Sequence, residues 1–262
     1  MIGFNEKKVI EMLKMKERHT QILTLLTEQH KVNVSDFSTL LGVSQVTIRK
    51  DLDQLEHLGL IQREHGYATL NSNDDINTRL AYHYDIKQQI AKRACEFIED
   101  GETVMIESGS CCALLAQEIA RTKKDMTIIT NSAFIADYIR KQGNVKIILL
   151  GGEYQSSSQV MVGPMTRKCV EMFYVKRFFI GTDGFSKETG FTGNDYMRCE
   201  TVRDMASQAQ EVIVLTESSK FDKIGHVQLL PTEKVSMVVT DQEIQHDSEI
   251  YLQKQNVQIY KI

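Results

Sequence analysis

The sequence has no long apolar run, and this absence excludes one class of protein. No stretch of its 262 residues approaches the roughly 20 consecutive apolar residues that a membrane-spanning helix needs. Its first residues also lack the apolar core and the small-residue cleavage site of a secretory signal. With 42% hydrophobic and 25% charged residues, the composition is typical of a soluble globular protein, and we expect no membrane partner.

Cysteine is scarce, and its spacing excludes the common metal and redox motifs. The five cysteines are odd in number and contain no Cys-x-x-Cys pair. The seven histidines likewise show no compact spacing of the kind that zinc sites use. We therefore predict no metal, no cofactor and a reduced, cytoplasmic environment.

The chain also lacks an excess of positive charge. Its formal net charge is −4, and in residues 1–72 the lysines and arginines only equal the aspartates and glutamates in number. A protein that binds nucleic acid through its overall charge would be basic. Any affinity for DNA must therefore come from the local placement of charged residues and from dimerisation.

Residues 17–72 do contain a pattern of three short helices followed by a hairpin. Apolar residues recur at helical spacing in the first helix, and the second begins at Ser35. Gly42 permits a tight turn, and Ser44 can cap the third helix. A two-stranded hairpin follows over residues 60–70. This layout predicts a winged helix-turn-helix domain.

The rest of the chain predicts an α/β domain. We expect a helical extension at residues 1–16, a linker at 73–84 and a second domain at 85–262. In the second domain short β-rich runs alternate with helical stretches, which predicts a mostly parallel sheet covered by helices. The predicted strands are 103–106, 126–130, 146–150, 176–180, 211–215 and 235–240. The predicted helices lie near 111–121, 132–142, 164–174 and 197–209.

The third predicted helix is the candidate DNA-recognition element. We expect an apolar stripe on its inner face, consisting of Val46, Ile48, Leu52, Leu55 and Leu58. The outward side chains near its start would then be Gln45, Thr47, Arg49 and Lys50. In this motif the first residues of the second helix contact base edges in the major groove.

Each outward residue suits a particular contact with DNA. Gln45 can pair with adenine, and Thr47 can touch a thymine methyl group. Arg49 and Lys50 are suited to clamp phosphates, which position a protein without selecting a sequence. From periodicity alone, the alternative is a three-helix protein–protein module whose charged residues face solvent.

Five polar or glycine-rich loops follow the carboxyl ends of the predicted strands. Open α/β sheets bind ligands at that edge, and a loop that opens a helix offers backbone N–H groups to an anion. The loops therefore predict a ligand site at one edge of the sheet. They lie at residues 107–111, 130–132, 151–153, 181–184 and 218–221.

Several strings resemble a known family. The string Gly-Val-Ser-Gln-Val-Thr-Ile-Arg-Lys-Asp-Leu at residues 42–52 resembles the recognition segment of the DeoR family of transcription regulators. The preamble Arg-His-x-x-Ile-Leu, which begins at Arg18, is similar to the same family. The five loops, in their order, resemble the effector domain of that family, so the resemblance spans roughly residues 17–262.

The resemblance implies a fold, a function and partners. It implies a winged helix-turn-helix joined to an effector domain related to the sugar-phosphate isomerase fold, typified by ribose-5-phosphate isomerase. It also implies a regulator, usually a repressor of a carbohydrate-utilisation operon, and not an enzyme. Such a regulator would bind double-stranded operator DNA as a homodimer or homotetramer, and a phosphorylated sugar or polyol would release it.

The resemblance further implies which residues bind. DNA contacts are expected from Ser44, Gln45, Thr47, Arg49 and Lys50, and from the wing residues Arg63 and His65. The residues implied in phosphate binding are Ser108, Gly109, Ser110 and Lys220. Those implied in binding sugar hydroxyls are Thr130, Asn131, Asp183 and Glu200. Gly152 completes the effector set, and Arg203 is either a second cation or a solvated helix residue.

The chain departs from the family pattern at two places. The usual His-Gly-Gly-Ala of the wing is His-Gly-Tyr-Ala at residues 65–68, which bears on the turn and on any minor-groove contact. The usual Asp-Ser-Gly-Thr-Thr-Thr begins with Glu107 and carries thiols at Cys111 and Cys112. This second change predicts a different ligand shape or a phosphate held mainly by backbone groups. We expect both thiols to be small core residues, with redox sensing as the alternative.

Two other functions stay open at this point. Glu107 or Asp183 has the chemistry of a general base and Lys220 that of an electrophile, so a sugar-phosphate isomerase-like enzyme is the main alternative. Against it, a catalytic domain has no need of a DNA-recognition module. A protein-interaction adaptor is the second alternative.

Overall fold

The computed structural model describes residues 18–26, 29, 31–57, 61–64, 66–69, 76–143 and 145–262. The chain divides into two compact units, Met1–Asp85 and Ile86–Ile262. The expected extension at residues 1–16 lies outside the described residues, as do Leu58 and His65. The finer domain boundaries expected at residues 72 and 84 stay predictions.

The first unit has the expected three helices and hairpin, with one further strand and one further helix, which falls where a linker was expected. Its elements are α1 (residues 18–26), β1 (Lys31–Asn33), α2 (Val34–Leu41), α3 (Gln45–His57), β2 (Gln62–Glu64), β3 (Tyr67–Thr69) and α4 (Ile76–Ala81). The strands pair antiparallel in the order β1-β3-β2. The winged helix-turn-helix is therefore confirmed, and β1, which the sequence pattern did not predict, adds a third strand to the hairpin.

Local features set the angle between α2 and α3. The Asn33 side chain accepts a hydrogen bond from the Asp36 N–H at 2.8 Å and thereby caps the start of α2. Gly42 ends that helix with a φ of +64°, a conformation that glycine adopts at little cost. Because the chain turns here, Phe37 of α2 and Ile48 of α3 are both fully buried in one core.

The turn of the wing accommodates the tyrosine that replaces a glycine of the family pattern. The positive φ falls on Gly66, at +84°. Tyr67 is the first residue of β3, where extended backbone suits any side chain, and it lies opposite Glu64 of β2. The Lys31 ammonium lies 4.7 Å from the centre of the Tyr67 ring. The remaining glycine thus supplies the conformation that the turn requires.

A seven-stranded parallel sheet forms the centre of the second unit. Its strands are β4 (Thr103–Ile106), β5 (Met126–Thr130), β6 (Val145–Leu149), β9 (Val175–Ile180), β12 (Ala209–Leu215), β14 (Met237–Thr240) and β15 (Gln258–Lys261). They are hydrogen-bonded in the order β15-β14-β12-β9-β4-β5-β6, and every pair is parallel. The expected parallel sheet is confirmed, and β15 is its one unpredicted strand among the described residues.

Helices cover this sheet, as parallel connections require. They are α5 (Tyr84–Cys95), α6 (Ser110–Thr122), α7 (Ala133–Ile139), α8 (Pro164–Val170), α9 (Tyr196–Ala206) and α10 (His246–Lys254). The sequence predicted four of them and missed α5 and α10. No helix in the described ranges combines the length and the apolar character needed to cross a bilayer.

Two small antiparallel sheets and two turns of 3-10 helix, one of them Thr232–Lys234, elaborate the loops of the second unit. One sheet pairs β7 (Glu153–Gln155) with β8 (Val160–Val162). The other joins β10 (Gly184–Ser186), β11 (Gly190–Gly193) and β13 (Val227–Leu230). The other 3-10 turn, Ser218–Lys220, follows β12. These insertions lie after strand carboxyl ends, which is where the predicted ligand loops are.

Candidate DNA-recognition surface and effector site

Helix α3 has one buried face and one exposed face. Ile48, Leu52 and Leu55 are almost completely buried, and their spacing of four and three residues is that of one helical stripe. Arg49 and Lys50 lie outside that stripe and are exposed, as the pattern predicted. Neither makes an ion pair with another residue of the described part of the chain, so both charges are available to a partner.

Val46 does not lie in the core, and the expectation that it would was wrong. Its side chain is 64% exposed, whereas Ile48 is fully buried. The physical reason is the helical period, because two residues on a helix lie about 200° apart around its axis. Val46 therefore shares the exposed face with Arg49 and Lys50, which follow it by three and four positions.

Ser44 and Thr47 close the first turn of α3. The Ser44 Oγ accepts a hydrogen bond from the Thr47 N–H at 3.2 Å, and the two hydroxyl oxygens are 2.9 Å apart. This is the arrangement of a helix cap, which the sequence predicted for Ser44. Thr47 is only partly exposed, while Gln45 beside it is exposed. The contacts of these residues with DNA stay predictions.

The wing is joined to α3 by Arg63. Its guanidinium pairs with the Asp53 carboxylate of α3, and its backbone N–H donates to Glu56 Oε1 at 3.2 Å. Asp53 is mostly exposed, so this contact fixes the position of the wing more than it adds stability. The expected role of Arg63 in DNA binding stays a prediction, and His65 lies outside the described residues.

A buried carboxylate joins α1 to α3. The Arg18 guanidinium makes two hydrogen bonds to Asp51, one of them from Nη2 to Oδ1 at 2.8 Å, and His19 Nε2 lies 3.3 Å from Oδ1. Burial alone would raise the pKa of Asp51, but the hydrogen bonds from His19 and Arg18 and the Arg18 charge together lower it. The two strings that carried the family resemblance in this unit are therefore in direct contact.

In the second unit, Glu107 occupies the loop between β4 and α6. Its Oε2 accepts hydrogen bonds from the N–H groups of Gly109 at 2.7 Å and Gly181 at 3.2 Å. Its Oε1 accepts one from the Ser108 hydroxyl at 2.7 Å. The carboxylate is buried and takes up donors from two neighbouring loops. One of these donors, Gly109 N–H, belongs to the loop that the family resemblance assigned to a phosphate.

The 3-10 turn after β12 brings Lys220 towards the start of α6. The pKa of the Cys111 thiol is raised to about 12, mainly by burial and then by the Glu217 charge, while the charges of Lys87 and Lys220 lower it. Both lysines are therefore close enough to Cys111, in the first turn of α6, to act on it electrostatically. Because Cys111 is buried and protonated, it fits the expected core role better than redox sensing.

Lys87 and Glu217 form a buried ion pair that the sequence did not predict. The Lys87 Nζ lies 3.7 Å from Glu217 Oε1, and the two side chains are only 3% and 5% exposed. Lysine is almost never buried without a partner charge. A signal was present in the sequence, because Lys87 falls at helical spacing with the buried residues Ile90, Ala91 and Ala94 of α5.

A second set of acidic side chains lies near Cys199 of α9. Asp183 Oδ2 accepts a hydrogen bond from the Asn194 N–H at 3.0 Å, and Asp195 caps α9 by accepting one from the Arg198 N–H at 2.8 Å. Burial raises the pKa of the Cys199 thiol to about 11, Arg203 lowers it, and Asp183, Glu107 and Asp195 raise it. The structure thus brings the predicted Asp183 close to Glu107 and adds Asp195.

The loop after β5 is held by hydrogen bonds to its neighbours. Asn131 Nδ2 donates to the Met161 carbonyl at 3.1 Å, and Thr130 Oγ1 accepts from the Ser132 N–H at 3.1 Å. Asn131 Oδ1 is buried and has no hydrogen-bond partner among the described residues. That oxygen is a ready acceptor for a ligand hydroxyl, whereas Thr130 already serves the turn.

Gly152 is required by packing. A Cβ at this position would lie 2.0 Å from Thr166 Oγ1 and 2.7 Å from the Val162 carbonyl oxygen. No larger residue fits there without displacing the backbone of β8. The structure therefore gives Gly152 a packing role beside its predicted role in effector binding.

Glu200 and Arg203 lie on α9 and make different contacts. The Tyr196 hydroxyl donates to Glu200 Oε1 at 3.3 Å within the helix, and the Glu200 charge acts on Asp204. Arg203 donates to the Gln228 carbonyl of β13, and its charge also reaches Cys199. Arg203 therefore lies near Cys199, the thiol on which the Asp183 and Glu107 charges also act. No contact among the described residues joins Glu200 to the ligand loops.

Comparison with known proteins gives matches in both units. Residues 18–74 match the DeoR-like helix-turn-helix domain, and residues 82–242 match the DeoR C terminal sensor domain. No group of three or more His, Cys, Asp or Glu residues in the described ranges could hold a metal ion.

Curated relatives match over most of their length. A protein of Escherichia coli O157:H7, named for transcriptional repression of the aga operon, is 30% identical over 93% of this chain and 92% of its own. The glycerol-3-phosphate regulon repressor of Escherichia coli K12 is 28% identical over 87% of this chain and 92% of its own.

Among solved structures, ribose 5 phosphate isomerase A from Neisseria gonorrhoeae aligns with a TM-score of 0.40. It is 14% identical and covers 52% of this chain and 53% of its own, a likeness too low to support an argument. The family matches, by contrast, cover both units in the order that the sequence pattern predicted. The chain belongs to the DeoR family of transcriptional regulators.

Proposed function

We propose that this chain is a repressor of a carbohydrate-utilisation operon and that a phosphorylated sugar or polyol releases it from its operator. The observation that carries the proposal is the exposed face of α3, where Gln45, Arg49 and Lys50 stand together at the start of a recognition helix. The names of two relatives, repressors of the aga operon and of the glycerol-3-phosphate regulon, support the same role.

On the DNA side, α3 enters the major groove by its N-terminal turn. Arg49 and Lys50 are exposed and carry no internal ion pair among the described residues, so they contact phosphates. Gln45 is exposed in front of them and reaches base edges. The Arg18–Asp51 pair holds α3 against α1, so the helix is presented with a fixed orientation.

On the effector side, the phosphate binds near Ser110 and Lys220. The positive end of the α6 dipole and the Lys220 ammonium both favour an anion there. Glu107 already accepts the N–H groups of Gly109 and Gly181, and its charge repels a phosphate from that part of the edge. The hydroxyl groups of the ligand therefore point towards Glu107 and Asp183.

Release from DNA requires a homodimer or homotetramer that changes its arrangement. Two copies of α3 would contact successive major grooves, and effector binding would favour an arrangement whose half-site spacing no longer fits. A tenfold to hundredfold loss of operator affinity corresponds to only about 1.4–2.8 kcal/mol of coupling. A single charged hydrogen bond to a phosphate is of that size.

We propose no catalytic activity for the sheet edge. The isomerase alternative needs a carboxylate that can take a proton from the substrate, with Glu107 or Asp183 as the candidates. Both Glu107 oxygens already accept hydrogen bonds from the protein. Asp183 likewise accepts one from the Asn194 N–H. Both carboxylates thus serve to hold loops together.

The test measures binding of the purified chain to the DNA upstream of its own gene. We expect specific binding that phosphorylated sugars or polyols weaken by tenfold or more, with free sugars having no effect. The Lys220→Ala variant should keep its DNA affinity and lose the response to the effector. Lys223→Ala, which removes an exposed lysine of the same loop, is the matched control and should respond normally.

Three results would overturn the proposal in whole or in part. Binding no tighter to upstream DNA than to unrelated DNA at low salt would favour the adaptor alternative. Turnover of a sugar phosphate at an enzyme-like rate would replace the regulator with an enzyme. A normal response of Lys220→Ala would show that the phosphate binds elsewhere.

A further inference from the structure

We infer that Val46 contacts a thymine methyl group and is a determinant of operator sequence. The inference rests on the proposed function, because it requires α3 to lie in the major groove. Its basis is an apolar side chain in an unusual place. Val46 is 64% exposed at the second position of a 13-residue helix.

The position of Val46 on the helix directs it towards the groove. Arg49 and Lys50 follow it by three and four residues, so all three side chains lie on one face. The buried stripe that begins at Ile48 is on the opposite side. Val46 is about one turn closer than these two residues to the N-terminus of α3, the end that contacts base edges. If Arg49 and Lys50 contact phosphates, Val46 therefore faces the bases.

Valine carries neither a donor nor an acceptor, which restricts what it can recognise. In the major groove the thymine C5-methyl group is the apolar feature that distinguishes one base pair from the others. Burying Val46 against this methyl group removes apolar surface of both partners from water. Against cytosine the same valine would cover a polar amino group instead, and the contact would be unfavourable.

The sequence assigned the contact with the thymine methyl group to Thr47, but in the structure two polar groups of Thr47 contact Ser44. Its hydroxyl lies 2.9 Å from the Ser44 hydroxyl, and its N–H donates to the same Ser44 oxygen. It is also less exposed than Val46. The Thr47 hydroxyl therefore shapes the start of α3, and Val46 offers a base the more exposed apolar surface.

Deoxyuridine substitution tests this inference, because it removes only the methyl group of thymine. Each thymine of the operator is replaced in turn, and the affinity of the full-length wild-type chain is measured. We expect a loss of about fourfold at one thymine of each half-site, the effect of one methyl group. At the other thymines the loss should be small.

The Val46→Ala variant completes the test. It should bind the normal operator about as weakly as the wild type binds the deoxyuridine operator, and the base replacement should cost it nothing further. Val46→Thr, which keeps one methyl group of the side chain, should retain part of the sensitivity. Ile224→Ala removes an equally exposed aliphatic side chain from the second unit and should leave all operator affinities unchanged.

Different failures have different meanings. If the wild type binds its operator specifically but no thymine is sensitive, or if Val46→Ala keeps the full sensitivity, the inference is wrong and the proposed function stands. If the wild type shows no specific binding to upstream DNA, the proposed function fails and the inference fails with it. The deoxyuridine scan of the wild type needs no variant, so a folding defect cannot obscure it.

Discussion

Each unit of the molecule contains a buried ion pair, and the two pairs differ in geometry. Arg18 contacts both oxygens of Asp51, and the Arg18 side chain remains 18% exposed. Lys87 and Glu217 are more deeply buried, and Lys87 Nζ lies 3.7 Å from Glu217 Oε1. The first pair is made by a planar guanidinium that stays partly exposed, and the second by a compact ammonium that is almost completely buried.

This difference follows from what each pair does. A bidentate arginine–carboxylate pair fixes orientation, and α1 and α3 need a fixed orientation if α3 is to fit a DNA groove. A lysine ammonium is a compact charge on a flexible stem. Lys87 lies near Cys111 at the start of α6, where its charge acts without a strict geometric requirement. The DNA-recognition unit thus contains an orienting arginine pair, and the second unit contains a buried point charge near the start of α6.

Breaking the more deeply buried pair should have the largest effect. Lys87→Met leaves the Glu217 carboxylate buried without the ammonium, and we expect a loss of about 4 kcal/mol in the free energy of unfolding. Urea unfolding followed by circular dichroism measures it. The double variant Lys87→Met/Glu217→Leu should recover much of the loss. A cost below about 1 kcal/mol for the single variant would contradict a buried charge pair.

Breaking the bidentate pair should cost less, because Arg18 can still reach water. For Asp51→Ala we expect about 2–3 kcal/mol, the size of hydrogen bonds to a charged group. Hydrogen exchange of the α1 and α3 amides in the full chain measures it. Asp53→Ala removes an exposed carboxylate of the same helix and should cost at most about 1 kcal/mol. Equal costs would refute the distinction between the two carboxylates.

Arg49 is a useful contrast to Arg18, because it forms no ion pair with any other described residue. Arg49→Ala should leave stability unchanged and weaken DNA binding about tenfold across many sequences, as expected for a residue that binds a phosphate. The slope of log affinity against log salt should become shallower by about 0.9 for each phosphate that the variant no longer neutralises. Arg140→Ala, an exposed arginine of the second unit, is the control. A weakening confined to one operator sequence would instead indicate that Arg49 binds a base.

Acid should produce the smallest effect. The pKa of Asp51 is lowered in the folded chain, so its stabilisation is complete above the unfolded pKa of about 3.9 and is lost as the pH falls through the lower folded pKa. Hydrogen exchange of α3 should therefore show wild type and Asp51→Ala converging only below about pH 4. Convergence at pH 5–6 would mean that Asp51 is not the titrating group.

The sequence predicted the local parts of the molecule well. The turn at Gly42, the cap at Ser44 and the hairpin each depend on a few neighbouring residues, and all were found. Val46 was misplaced because its residue type was given more weight than its position in the helical period. Lys87 was missed for the same reason, since it lies in an apolar stripe despite its charge.

The effector edge was predictable only as a set of loops. The parallel sheet places the ends of its strands together, so the sequence could name the loops that meet there. It could not show that the Glu107 carboxylate binds the N–H of Gly181, which is 74 residues away. It could not show either that Gly152 abuts Thr166. Such contacts depend on the three-dimensional arrangement of distant segments.

The buried thiol of Cys111 has a consequence for the chemistry that the protein withstands. With its pKa raised to about 12, the thiol holds its proton at any pH found in a cell, and peroxides and alkylating agents react with thiolates. The start of α6 thus carries sulfur without its usual vulnerability. Thiol reagents should therefore leave the loop that opens α6 unmodified at this position, even where they reach the less buried Cys169.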